Sequence, residues 1–172
     1  VARESARMCL EFQATQDYEK IVIPARHFEQ MEPKYTAMQD AYTVVPFLHE
    51  AAKMKLSKDL VLTLPLTSHM VENEDYRTNI LNWVTSYPEI SGVYVIVEYE
   101  RNTKQVASES FLDAMLLMLT ELRQADLTVL VGYSNTESLL YLLAGAIDIT
   151  FGAYENTRMF SLDKFLVNEE DR

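Results

Sequence analysis

Short apolar runs alternate with longer amphipathic stretches along this chain. Five runs, residues 20–24, 60–64, 92–99, 127–131 and 147–151, are rich in Val, Ile, Leu and aromatic residues and read as strands. The third is apolar on both faces, as a parallel strand covered on both sides must be. Pro24 and Pro65 are expected to close the first two strands, because a proline cannot donate to the ladder. Apolar positions at intervals of three and four mark the helices between them. Residues 1–16 place Ala6 and Leu10 on one face, and residues 75–86 turn Ile80, Leu81 and Val84 inward. Residues 108–124 start at a capping Ser108 and carry Leu112, Met115, Leu116, Leu119 and Leu122. Residues 42–54 are helical, with Pro46 either opening or kinking them, and residues 137–144 form a short helix. Residues 29–36 read as a loop, residues 157–167 as one further helix, and the last five residues as solvated.

Alternation of strand and helix implies parallel strands joined by right-handed crossovers. No linker or change of composition divides the chain, so one α/β domain, or part of one, is expected. Strands begin near residues 20, 60, 92 and 127, but only 20 residues separate 127 from the last start at 147. Two architectures suit five strands. One is a partial or fragmentary (β/α) TIM-type barrel, since eight strands do not fit in 172 residues at these spacings. The other is an open, three-layer, flavodoxin-like sandwich. A barrel fragment leaves sheet edges unpaired and calls for a partner chain.

The stretch from Val129 to Gly152 holds three of the four glycines of the chain. Gly132 is expected to end a strand, Gly145 to end a helix in a left-handed conformation, and Gly152 to end the next strand. Ser134, Asn135 and Thr136 can cap the helix between. The arrangement resembles the last two strand-helix units of a (β/α)8 barrel. That resemblance implies a phosphate held at Gly132–Thr136 and Gly152–Ala153. Turns and close packing alone also account for the same glycines. With Thr157 and Arg158 following, the stretch is similar as well to tRNA-guanine transglycosylases, themselves barrels. That similarity implies nucleic-acid processing and a cluster of zinc-binding cysteines. The chain departs from it in having one cysteine, Cys9, and a net charge of −11.

Composition narrows the function classes. A net charge of −11 with no basic run disfavours nucleic acid and suits solubility. A lone cysteine points to a reducing, cytoplasmic setting. No apolar stretch is long enough for a transmembrane helix, and Arg3, Glu4 and Arg7 argue against a signal peptide. A start at Val1 suggests processing or a piece of a longer chain.

In parallel α/β folds, ligands lie beyond the C-terminal ends of the strands. The residues expected there are Arg26, His27 and Glu29, then Thr67, Ser68 and His69, then Glu98, Glu100 and Arg101. Tyr133, Ser134 and Asn135 follow the fourth strand, and Tyr154, Glu155, Asn156 and Arg158 the fifth. Glu98 ends an apolar run, where an unpaired carboxylate is costly to bury, so a pairing with Arg26, Arg101 or Arg158 is expected. Glu98, His69 and His27 are the catalytic candidates, as an acid/base set. Their spacing matches no metal-binding motif. Gly132, Ser134, Asn135, Gly152, Arg158 and Arg26 are the candidates for holding an anion. Cys9 reads as a small core residue.

The expectation is therefore an enzyme-like domain for a small phosphorylated or otherwise anionic ligand, with no cofactor demanded by the sequence. The alternative is a non-catalytic interaction or assembly domain, supported by 10 tyrosines and 8 methionines, with self-association or membership of a larger chain.

Overall fold

The computed structural model describes residues 1–27, 34–98, 108–154 and 158–161. Five strands form one all-parallel sheet: β1 (Lys20–Ile23), β2 (Asp59–Thr67), β3 (Ile90–Glu98), β4 (Thr128–Ser134) and β5 (Ile147–Phe151). Their order across the sheet is their order along the chain. The helices are α1 (Ala2–Thr15), α2 (Tyr35–Gln39), α3 (Val45–Met54), α4 (Ser68–Glu72), α5 (Glu74–Thr85) and α6 (Glu109–Gln124). A 3-10 helix, Thr136–Ala144, joins β4 to β5.

One face of the sheet carries the main core. In register, Ile23, Leu62, Val93, Val129 and Ile147 form one row across all five strands, and each packs in the cluster that includes Leu10, Ile80 and Leu119 of the helices. Burying each such side chain contributes about 1.5–3 kcal/mol. Val61 and Ile96 lie on the opposite face, buried but outside that cluster. The sheet is curled into a half-barrel. Lys20 Nζ at the start of β1 donates to Thr128 Oγ1 at the start of β4, 3.1 Å away. In a flat sheet those strands stand ~14 Å apart, beyond the combined reach of the two side chains.

The β1 edge is closed by side-chain amides. Gln13 of α1 donates to the Val22 carbonyl at 2.9 Å and accepts from its N–H at 2.8 Å. Gln39 of α2 does the same for Arg26, beyond the end of β1, at 2.6 Å and 3.2 Å. Each glutamine thus supplies the donor and acceptor that a neighbouring strand would offer, which is one way a sheet edge is protected.

Several boundaries differ from the sequence reading for identifiable reasons. Pro65 lies within β2, opposite Ile96 of β3. Its missing N–H costs nothing there, because β1 has already ended at Ile23, opposite Leu62, and Tyr35 Oη donates to the Pro65 carbonyl at 3.1 Å. The helical region before residue 54 begins at Tyr35, and a π-helical turn, Asp40–Val44, links α2 to α3. Pro46 has no N–H for the carbonyl four residues back, so the ladder widens just before it. Strand β4 does not stop at Gly132 but runs to Ser134 through a bulge. Residues 68–72, given no element by the sequence pattern, form α4, with the Thr67 hydroxyl accepting from the Met70 N–H. Of the stretch 157–167, only 158–161 lies within the described residues.

Candidate functional site

The C-terminal ends of the strands gather a small cluster. His27 follows β1 and Glu98 ends β3, and His27 Nε2 donates to Glu98 Oε2 at 2.8 Å. The His27 side chain is 9% exposed and that of Glu98 24%, and His27 Nδ1 is buried, so solvent reaches the pair mainly at the carboxylate. Glu98 also forms an isolated parallel bridge with Phe160, which brings the segment after β5 back across the ends of the strands. The Phe160 ring lies 5.7 Å from that of His27 and 5.3 Å from that of Tyr133, centroid to centroid. Phe160 is buried, so it shields the imidazole on one side. The imidazole bonded to the carboxylate fixes the orientation of the Glu98 side chain, whose oxygens are the more exposed groups of the pair.

Two of the expected arginine partners of Glu98, Arg26 and Arg158, are engaged elsewhere. The Arg26 guanidinium sits 4.2 Å above the Tyr42 ring, and Arg158 Nε donates to the Gly152 carbonyl at 3.2 Å. Arg101 lies outside the described residues, as do Glu29, Glu100, Glu155 and Asn156. His69 is exposed on α4, two residues beyond Thr67, which is the register partner of Glu98. It shares that rim without hydrogen bonding to His27 or Glu98.

The residues expected to hold an anion have structural partners. An added Cβ at Gly132 would meet the Tyr94 ring at 2.4–2.7 Å, so the space beside this glycine is used by Tyr94. Ser134 is buried and its hydroxyl donates to the Val131 carbonyl at 3.2 Å. Asn135 caps the 3-10 helix in a reciprocal arrangement with Ser138. Gly145 has φ +112, reachable at low cost only by glycine, as the sequence required.

The sequence places Tyr133 at the strand ends without a role and does not single out Phe160. Tyr133 has φ +56 within the β4 bulge, an uncommon conformation for a bulky residue that re-aims its side chain toward Phe160. Its position directly after Gly132 was the available signal. Phe160 gives none, because its place depends on how the chain returns after β5. Burial raises the pKa of Tyr94, with Tyr133 adding to the effect, so the Tyr94 hydroxyl stays protonated further into alkali.

Among the described residues no three His, Cys, Asp or Glu side chains gather closely enough to hold a metal ion. Cys9 is half-buried on α1, where its Sγ accepts from Gln13 at 3.3 Å. An open depression of about 610 Å³ beside α1 is lined by Val1, Arg3, Asp40 and Pro46, among others, and by none of the candidate residues. No helix among the described residues is long and apolar enough to cross a membrane. Comparison with protein-family models, with curated proteins and with solved structures finds no match to this chain.

Proposed function

We propose that this chain is an enzyme-like α/β domain that binds a small phosphorylated or otherwise anionic ligand beyond the C-terminal ends of its strands. Glu98, the more exposed of the pair, is the proton-transferring group and His27 positions it. The observation that carries this reading is the 2.8 Å contact between Nε2 of His27 and Oε2 of Glu98, which joins the ends of β1 and β3 where parallel folds place their ligands. Arg26 and Arg158 bring positive charge to that end of a chain whose net charge is −11. A TIM-type relationship for the half-barrel is favoured over a flavodoxin-like one. The strand order is sequential, without the reversal that marks open doubly wound sheets, and the main core lies on one face of the sheet.

Thermal-shift titration with inorganic phosphate, ribose 5-phosphate and FMN tests this. The wild type is expected to gain melting temperature with at least one probe, and Arg26→Ala and Arg158→Ala to reduce the gain. No gain with any of these probes, or a gain that both variants keep, contradicts it.

A further inference from the structure

The two edges of the sheet are unequal. Gln13 occupies the β1 edge at Val22, whereas no strand among the described residues pairs with the outer edge of β5. Beside that open edge lies an apolar surface made by the 3-10 helix. With about three residues per turn, positions three apart line up. Ser138 and Tyr141 are buried on one such row, and the other two rows turn Leu139, Leu142, Leu140 and Leu143 outward, 43% to 77% exposed. Phe151 at the end of β5 is also exposed, at 48%. Together these five side chains leave roughly 450 Å² of apolar surface in water, about half of what each partner of a standard interface buries; the neighbouring strand edge adds main-chain contacts.

We propose that a second copy of this chain covers this surface, with the two β5 strands pairing antiparallel about a two-fold axis through Ile149. A head-to-tail contact, β5 of one copy on β1 of the next, is opposed because Gln13 already holds the main chain of Val22 in the middle of the β1 edge. Of these two contacts between copies the self-complementary one is favoured, and it closes at two copies. The β5 sequence fits this register. Ile147 faces Phe151 of the second copy and Ile149 faces its counterpart, all on the helix-covered face. On the other face Asp148 meets Thr150, so no carboxylate is set opposite another. The leucines of the two 3-10 helices then close over the paired strands.

Sedimentation velocity across the micromolar range, with variants, decides the matter. The wild type is expected to sediment as a concentration-dependent dimer, tighter at high salt because the copies carry like net charge. Leu143→Asp, an exposed change compatible with folding, is expected to weaken the dimer about tenfold or more. A second readout is independent of affinity. In a Cys9→Ser background, Ile149→Cys is expected to yield a covalent dimer on mild oxidation, whereas Met8→Cys, exposed on α1, is not. A monomer at every concentration, a dimer untouched by Leu143→Asp, or equal cross-linking at both positions overturns the proposal. So does a partner of another kind found on this surface. None of these outcomes bears on the His27–Glu98 site.

Discussion

Lys20 of β1 and Thr128 of β4 hydrogen bond to each other at 3.1 Å although two strands lie between theirs. Gly92 makes room for this contact. A Cβ there would lie 2.1 Å from Thr128 Oγ1 and 2.8 Å from the Thr128 carbonyl oxygen. Gly92→Ala is therefore expected to cost ~1–3 kcal/mol in denaturant unfolding. Adding Thr128→Ala should recover only part of the loss, because the carbonyl stays in place. Full recovery, or no loss, contradicts this role for Gly92.

Gly132 and Tyr94 allow the structural and ligand-binding roles of a glycine to be separated. Gly132→Ala is expected to destabilise by ~1–3 kcal/mol, since the Tyr94 ring occupies the added volume. In a double-mutant cycle with Tyr94→Ala the two changes should couple favourably. If Gly132→Ala leaves stability unchanged but abolishes a phosphate-induced thermal shift, the glycine serves a ligand instead.

The β1 edge predicts two different failures. Gln39 is buried, and Gln39→Leu strands both main-chain groups of Arg26, at a cost of ~2–4 kcal/mol. Gln13→Ala opens a partly buried edge at Val22 and should cost less, about 1 kcal/mol, while promoting concentration-dependent aggregation. Equal effects of the two substitutions in chemical denaturation and light scattering contradict this account of the edge.

Alkaline stability should depend on Tyr87. Its hydroxyl donates to Asp40 Oδ1 at 2.7 Å, and the same oxygen accepts from Trp83 Nε1 at 2.6 Å. Burial, with the Asp40 bond and charge adding, pushes the Tyr87 pKa up to about 12 from 10. The stability this gives is complete below pH 10 and is lost as pH rises through about 12. Trp83 fluorescence should report an unfolding shoulder in that window that Tyr87→Phe shifts to higher pH. An unchanged profile contradicts the assignment.

Hydrophobic periodicity made most of the fold legible. The five strands, the cap at Ser108 and the role of Gly145 follow from local patterns, because each depends on residues near in sequence. Pro65 misled because its tolerance depends on where a different strand, β1, ends. The Gly132 boundary misled because a bulge, rather than a turn, uses that glycine. At the site, Glu98 stood out as a carboxylate in an apolar run, and His27 by its place after a strand. Their pairing across β1 and β3 required the sheet order, and Phe160 required the return of the chain over the strand ends. Long-range relationships of this kind leave no local pattern.

The central claim is that the ends of β1, β3 and β4 form one ligand site around His27 and Glu98. Its most direct test is heteronuclear NMR of the labelled protein titrated with ribose 5-phosphate, inorganic phosphate and FMN. The account predicts saturable shifts concentrated on His27, Glu98, Tyr133 and Phe160, with the Glu98 carboxylate among the largest. Shifts confined to the depression around Val1 and Asp40, or none with any of the three probes, would contradict it.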